Sequence, residues 1–81
     1  MLELYQFEGC PYCGKVRQKM TDLHLDYICR NVPKDAVQKR EETLLKIGGK
    51  AQVPFLVDPE KDVKMYESDD IIAYLEENYA K

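Results

Sequence analysis

The sequence predicts an α/β fold in which three helices flank a four-stranded mixed sheet, in the order β-α-β-α-β-β-α. Two observations carry this prediction. The chain opens with a strand, a helix and a second strand, which implies a parallel strand pair joined by a right-handed crossover. A later apolar segment, a turn and a short strand imply an antiparallel hairpin in the same sheet. With 81 residues and no internal repeat or linker, we expect a single domain over residues 1–81.

The first half of the chain contains the predicted parallel pair. Residues 2–7 alternate as a strand, and residues 11–23 repeat apolar side chains at steps of three and four, as a helix does. Pro11 suits the first position of that helix, where its missing N–H costs nothing. A second strand covers residues 25–32 and ends before Pro33. The cations of the first helix occupy its other faces, where we expect them to be solvated: Lys15, Arg17 and Lys19.

The second half contains the hairpin between two further helices. Apolar positions over residues 37–47 predict a helix that ends at Gly48-Gly49. Residues 53–57 and 63–66 are the two hairpin strands, separated by a turn. Ser68 is a good N-cap for the last helix, and acidic residues follow it in the first turn, where the helix dipole favours them.

Composition and charge limit the classes of function. Hydrophobic residues make up 44% and charged residues 33%, as in a globular protein. The net charge of −3 argues against nucleic acid as a partner, because phosphate binding needs a basic surface. No apolar stretch is long enough to span a bilayer, and polar residues interrupt the first apolar run. We therefore expect a cytoplasmic monomer that binds neither nucleic acid nor membranes.

Three cysteines bear on the chemistry. Structural disulfides are rare in the cytoplasm, so the closely spaced Cys10 and Cys13 are better explained as a redox-active dithiol. At the start of a helix, unpaired N–H groups and the positive end of the dipole stabilise a thiolate. We therefore expect Cys10 to be the nucleophile and Cys13, one turn further in, to be the resolving thiol. Tyr12 lies between them and is expected to point outward.

Zinc binding is the alternative for a Cys-x-x-Cys pair, with Cys29 or His24 as further ligands. Against it, Pro11 starts a helix at this pair, whereas zinc ribbons use knuckles, and the chain has no second Cys-x-x-Cys. Cys29 sits in a predicted strand and is better explained as a buried core residue. His24 is expected to cap the first helix or to lie at the surface.

Four features occur together in this order: a strand before the dithiol, the tetrad Cys10-Pro11-Tyr12-Cys13, a Val-Pro dipeptide opening the third strand, and a Ser-Asp-Asp segment at the last helix. Together they resemble the glutaredoxin family over nearly the whole chain. The resemblance implies a thioredoxin-like fold and a glutathione-dependent thiol–disulfide oxidoreductase, which reduces protein disulfides and protein–glutathione mixed disulfides. Glutathione would be a co-substrate, with no bound cofactor and no metal.

The resemblance also implies where glutathione binds. Pro54 would be a cis-proline facing Cys10, and the backbone of Val53 would pair with the cysteinyl part of glutathione. The γ-glutamyl group would rest on the start of the last helix, where Asp69 can accept from its ammonium. Ordinary helix capping alone also explains Ser68 and Asp69. The implied glutathione contacts are Tyr12, Gln52, Val53, Pro54, Ser68, Asp69 and Arg40.

Three positions depart from the glutaredoxin pattern. Phe7 stands where a basic residue is usual, and Gln52 stands where threonine is usual. Glu67 before Ser68, together with the Gln-Val-Pro tripeptide, is similar to the N-terminal domain of glutathione transferases. A transferase needs a second, helical domain, so we expect no full transferase activity from a sequence that ends at Lys81.

Two other functions stay open from the sequence. A thioredoxin-reductase-like enzyme could reduce the dithiol instead of glutathione, and Phe7 favours this alternative. The second open function is a metal- or iron–sulfur-binding module in which Cys10 is a ligand. The stiff helix start at Pro11 argues against this function.

Overall fold

The computed structural model describes residues 1–32, 48–49 and 52–80. The strands and helices follow in the order β1 (Leu2–Gln6), α1 (Pro11–Asp22), β2 (Tyr27–Asn31), β3 (Phe55–Asp58), β4 (Val63–Met65) and α2 (Ser68–Tyr79). The helix predicted over residues 37–47 lies outside the described residues. Of the Gly48-Gly49 pair, Gly48 has helical backbone and Gly49 has a φ of 85°.

The four strands form one mixed sheet in the order β2-β1-β3-β4. β1 pairs in parallel with β2 and antiparallel with β3, and β3 pairs antiparallel with β4. The predicted mixed four-stranded sheet of an α/β fold is therefore confirmed. Tyr5 lies opposite Phe55, so the end of β1 is beside the start of β3. The loops that leave β1 and enter β3 meet at one end of the sheet.

The main core lies between one face of the sheet and the helices α1 and α2. Alternate residues of β1 face it, because successive side chains on a strand point to opposite faces. Its buried members come from two strands and both helices: Leu2, Leu4, Val16, Met20, Leu56, Ile71 and Leu75. A smaller cluster on the other face contains Val32, Phe55 and Val57. Neither α1 nor α2 is long and apolar enough to cross a membrane.

β2 lies at the edge of the sheet, and most of its side chains are exposed. Cys29 pairs with Leu4 in the parallel register and shares its face of the sheet. Its side chain is nevertheless exposed, so the prediction of a buried core cysteine is wrong. Strand alternation predicts the face correctly, but burial depends on what covers that face. The buried core there is built from β1 and β3.

The start of α2 also differs from the prediction. Ser68 is the first helical residue, and the N-cap is Glu67, whose side chain makes no capping hydrogen bond. Glu67 has a φ of 68°, in the left-handed region that residues other than glycine rarely adopt. Its carbonyl accepts the N–H of Ile71 over 2.9 Å. The preference of serine for the cap position predicted Ser68 as the N-cap. The turn at Glu67 instead makes Glu67 the N-cap, so the helix starts one residue earlier.

Asp58, the last residue of β3, is a buried carboxylate that contacts the C-terminal half of α2. It is 1% exposed, and its Oδ2 accepts hydrogen bonds from the hydroxyls of Tyr74 (2.7 Å) and Tyr79. Burial raises the pKa of Asp58, but hydrogen bonds from Tyr79, Tyr74 and the Lys61 backbone, together with the Lys61 charge, hold the pKa below its ordinary value. Burial and the bond to Asp58 raise the pKa of Tyr79 to about 12.

Tyr79→Phe should lower the free energy of unfolding by about 1.5–3 kcal/mol, the typical worth of a hydrogen bond to a charged group. Because the pKa of Asp58 in the folded protein lies below its ordinary value of 3.8, this stabilisation is complete above that value. It is lost as the pH falls through the folded pKa. Urea unfolding followed by circular dichroism, at pH 7 and at decreasing pH, measures both effects.

The exposed Tyr12 offers the matched control, since Tyr12→Phe removes a hydroxyl from the surface. We expect this variant to change the free energy of unfolding by less than about 0.5 kcal/mol. Equal effects of the two substitutions at pH 7 would contradict the role given to Asp58. An effect of Tyr79→Phe that does not decline in acid would contradict it as well.

Candidate active site

The dithiol follows β1 through a tight turn and opens α1. Gly9 has a φ of 90°, a conformation that suits glycine, and Cys10 is the extended N-cap residue before Pro11. The backbone N–H of Cys13 donates to Cys10 Sγ over 3.4 Å. This is the capping hydrogen bond of a helix, with sulfur in place of the usual side-chain oxygen. A backbone N–H of the first helical turn therefore points at the sulfur of Cys10.

The two cysteines of the tetrad differ in exposure and in the cost of ionisation. Cys10 is 9% exposed, whereas Cys13 is 0% exposed on the core side of α1. Burial has the largest effect on the pKa of Cys13, and the hydrogen bond of its thiol with Cys10 adds to it. Together with the charge of Cys10 they raise this pKa to about 12. Cys13 therefore stays a protonated thiol at neutral pH. The geometry favours Cys10 as the sulfur that meets a substrate.

A polar cluster lies beside the dithiol, between β1, α1 and β2. The amide of Gln6 is buried; it accepts from Arg17 and donates to Asn31. Its Nε2 also donates to Cys29 Sγ over 3.2 Å. The charge of Arg17 lowers the pKa of Cys13, in the opposite direction to burial. The expectation that Arg17 and Lys19 are solvated is wrong, since their side chains are 27% and 23% exposed. Arg17 meets the buried amide of Gln6, which needs a partner, and Lys19 pairs with Glu76 on α2.

A pocket of about 380 Å³ opens at Tyr12, between the two cysteines in sequence. Three segments that are far apart in the chain form it: the start of α1, the loop before β3, and the start of α2. Its lining residues are Tyr12, Gln52, Val53, Pro54, Glu67, Ser68, Asp69 and Asp70. The Val53–Pro54 peptide bond is cis, as the resemblance implied.

All of the expected glutathione contacts that fall on described residues line this one pocket. Arg40 lies outside the described residues. Glu67 and Asp70 also line the pocket, although neither was among the expected contacts. The acidic first turn of the last helix was the signal for Asp70 in the sequence. The left-handed backbone of Glu67 depends on the path of the chain after β4, which no local pattern reveals.

Two side-chain contacts hold carboxylates at the rim of the pocket. Gln52 Nε2 donates to Glu67 Oε1 over 3.0 Å and joins the loop before β3 to the start of α2. Lys15 Nζ lies 2.9 Å from Asp69 Oδ1 and 6.0 Å from the centre of the Tyr12 ring. The Lys15 side chain is half exposed, as its predicted position on an outer face of α1 implies, but its ammonium is paired with Asp69. Its partner is 54 residues away in the chain, so helical periodicity could not reveal it.

Within residues 1–32, 48–49 and 52–80, no group of three or more His, Cys, Asp or Glu side chains is placed to hold a metal ion. A second, larger cavity of about 530 Å³ lies at the C-terminal ends of α1 and α2. Its lining residues are Asp22, Leu23, His24, Leu25, Tyr79 and Ala80. Of the two cavities, the smaller one adjoins the dithiol, and it is therefore the candidate active site.

Comparison with protein families gives a match over nearly the whole chain. The family model described as "Glutathione S-transferase, N-terminal domain" matches residues 4–81. This match confirms the transferase-like features noted at Glu67, Ser68 and the Gln-Val-Pro tripeptide, and it does not support the glutaredoxin resemblance specifically. A comparison with the curated proteins finds no match.

Solved structures of glutathione transferases share the fold. The enzyme from the Antarctic clam Laternula elliptica is 31% identical with a TM-score of 0.85, over 96% of this chain and 35% of that chain. Glutathione transferase E6 from Drosophila melanogaster is 30% identical with a TM-score of 0.89. The match covers 100% of this chain and 36% of that chain. A glutathione transferase homologue from Drosophila mojavensis, solved with bound glutathione, is 28% identical with a TM-score of 0.89. The match covers 99% of this chain and 36% of that chain. The thioredoxin-like fold is confirmed, and the chain spans about a third of the length of these relatives.

At neutral pH, a small alkylating reagent should modify Cys10 and leave Cys13 unmodified. With a pKa of about 12, Cys13 is a thiolate in only about one molecule in a thousand at pH 9, and its side chain is buried. Cys29 is exposed, so a Cys29→Ser background removes its contribution. Mass spectrometry after treatment with iodoacetamide, from pH 6 to pH 9, locates the label.

Cys10→Ser in the same background is the matched control for this labelling. It retains a buried thiol at Cys13 and should take up iodoacetamide about tenfold more slowly than its parent, or slower still. Labelling of Cys13 at a rate comparable to that of Cys10 in the reduced protein would contradict the asymmetry of the two sulfurs.

Proposed function

Because this chain belongs to the glutathione S-transferase N-terminal domain family, we propose that its pocket binds glutathione and that Cys10 carries out thiol–disulfide exchange there. The protein would be a glutaredoxin-type oxidoreductase of the cytoplasm that reduces protein disulfides and protein–glutathione mixed disulfides. The observation that carries the proposal is the 3.4 Å hydrogen bond from the Cys13 N–H to Cys10 Sγ at the start of α1. A thiolate stabilised there, beside a polar pocket, is a nucleophile for disulfide sulfur.

The pocket offers partners for both charges of a γ-glutamyl group. The first N–H groups of α2 favour a carboxylate, because the helix start carries about half a positive charge. The carboxylates of Glu67, Asp69 and Asp70 can accept hydrogen bonds from an ammonium. Val53 forms the pocket wall just before β3, where the backbone of an extended peptide can pair with it. The Drosophila mojavensis relative, solved with bound glutathione, supports the same ligand for this chain.

The proposed reaction begins when the Cys10 thiolate attacks the glutathione sulfur of a mixed disulfide. A disulfide forms between Cys10 and glutathione, the bond between glutathione and the substrate protein breaks, and the released thiolate takes up a proton. A second glutathione, as its thiolate, then attacks the sulfur of the bound glutathione. Oxidised glutathione leaves, and Cys10 becomes a thiolate again. Overall, one disulfide is reduced and one disulfide between two glutathiones is formed.

With a protein disulfide as substrate, Cys13 completes the exchange. Cys10 first forms a mixed disulfide with the substrate, and Cys13 then attacks the Cys10 sulfur, which releases the second substrate thiol and closes the Cys10–Cys13 disulfide. Two of the effects that raise the pKa of Cys13 come from Cys10 itself. Bond formation at Cys10 removes them, so Cys13 becomes easier to deprotonate when it is needed. Two glutathiones then reduce the disulfide.

Phe7 favours an alternative reductant. It packs against the cluster of Val32, Phe55 and Val57, where the glutaredoxin pattern has a cation that contacts glutathione. Without that cation the pocket has one attraction fewer for a glutathione carboxylate. A thioredoxin-reductase-like enzyme is therefore the second candidate for the electron donor, with the same chemistry at Cys10.

Cys13→Ser should trap glutathione on Cys10 when the protein is treated with oxidised glutathione. The adduct persists because the resolving thiol is gone, and it appears as a mass increase of one glutathione that dithiothreitol reverses. The exposed Cys29 can also react, so the variant is prepared with Cys29→Ser. In the same background, Cys10→Ser should form no adduct. It should also lose turnover in an assay that couples hydroxyethyl disulfide to glutathione reductase.

The outcomes separate the candidate functions. No adduct on Cys10, with disulfide reduction restored only by thioredoxin reductase, would contradict glutathione as the reductant. Conjugation of glutathione to chlorodinitrobenzene, without any disulfide reduction, would contradict the oxidoreductase. That result would support the transferase activity after which the matched family is named.

A further inference from the structure

Two ion pairs join α1 to α2, and one of them lies at the pocket. Lys15 Nζ is 2.9 Å from Asp69 Oδ1, and Lys19 pairs with Glu76 further along the same two helices. Asp69 lines the pocket, whereas Glu76 does not. Lys15 Nζ is also 6.0 Å from the centre of the Tyr12 ring, and Tyr12 lines the pocket too. The Lys15 ammonium therefore stands at the pocket rim, with a carboxylate and an aromatic ring as neighbours.

A carboxylate and an aromatic ring are also favourable neighbours for the ammonium of a bound ligand. A carboxylate gives an ammonium its strongest hydrogen bond, and a tyrosine ring adds a cation–π attraction. A ligand amine that reaches Asp69 must therefore displace Lys15 or share the carboxylate with it. Sharing brings two positive charges close together, which weakens the binding of both.

We propose that Lys15 determines the specificity of this pocket, because its ammonium competes with the ammonium of the ligand for Asp69. The proposal rests on the glutathione site proposed above and states how that site discriminates among peptides. A ligand without an ammonium leaves the ion pair of Lys15 and Asp69 intact, whereas the ammonium of glutathione displaces Lys15 from Asp69 or shares the carboxylate with it. The side chains are 50% and 85% exposed. Ion pairs this exposed are weak, so competition changes affinity by about two- to fivefold.

Two peptides measure this competition without redox chemistry. S-methylglutathione carries the ammonium, and its counterpart with a glutaryl group in place of the γ-glutamyl group lacks it. Neither has a free thiol, so neither forms a disulfide with Cys10. The ratio of their dissociation constants, measured by NMR titration of the reduced protein, is the preference of the pocket for an ammonium.

Lys15→Met should raise this preference by about two- to fivefold over that of the unsubstituted protein. Lys19→Met is the matched control, because it removes the same charge from the same helix and frees Glu76 rather than Asp69. It should leave the preference unchanged, since a general loss of positive charge affects both peptides. Methionine and lysine have similar helix propensities, and circular dichroism checks that both variants fold.

Asp69→Asn provides a second test. Without the Asp69 carboxylate the two ammonium groups no longer compete for this residue, so adding Lys15→Met to Asp69→Asn should leave the preference unchanged. A preference that stays the same in Lys15→Met alone, or that rises equally in Lys19→Met, would overturn the role of Lys15. The glutathione site would then still stand. If S-methylglutathione does not bind the unsubstituted protein, the glutathione site is wrong and the Lys15 proposal falls with it.

Discussion

The antiparallel pairing of β1 with β3 is the constraint on which the candidate site depends. It brings the chain that leaves β1 and the chain that enters β3 to the same end of the sheet. The first carries Cys10, and the second carries the cis Val53–Pro54 bond. The two ion pairs between α1 and α2 connect the helices in the same chain order, so the helices run in the same direction. Both helices therefore begin at this end of the sheet, and no single segment forms the pocket alone.

Position along α1 explains why Cys10 and Cys13, one turn apart, have such different surroundings. Cys10 is at the end of the helix, where a backbone N–H meets its sulfur. Cys13 is already inside the core, where burial opposes a charge. The same helix thus places one sulfur at its end, against a backbone N–H, and keeps the other as a thiol inside the core. Arg17 moderates this contrast without reversing it, because burial is the larger effect on Cys13.

The sequence alone predicted the parts of the structure that local patterns determine. Strand alternation and helical periodicity identified the sheet and the two described helices, and Pro11 marked the start of α1. The errors occurred where a residue's surroundings come from elsewhere in the chain. Cys29 is exposed because it is on an edge strand, and Lys15 is paired because α2 lies against α1. The cis bond at Pro54 followed from the family resemblance and not from any rule of spacing.

The pocket takes only Tyr12 from the dithiol segment, and its other described lining residues belong to the second half of the chain. The proposed nucleophile, Cys10, is therefore separate in the chain from most of the groups proposed to surround a ligand. A substitution at Cys10 would remove the proposed thiol chemistry and leave the lining of the pocket unchanged. Conversely, substitutions of the lining residues at positions 52–54 and 67–70 would alter the proposed ligand site without changing the proposed nucleophile. A domain arranged in this way lets chemistry and recognition evolve independently on one fold.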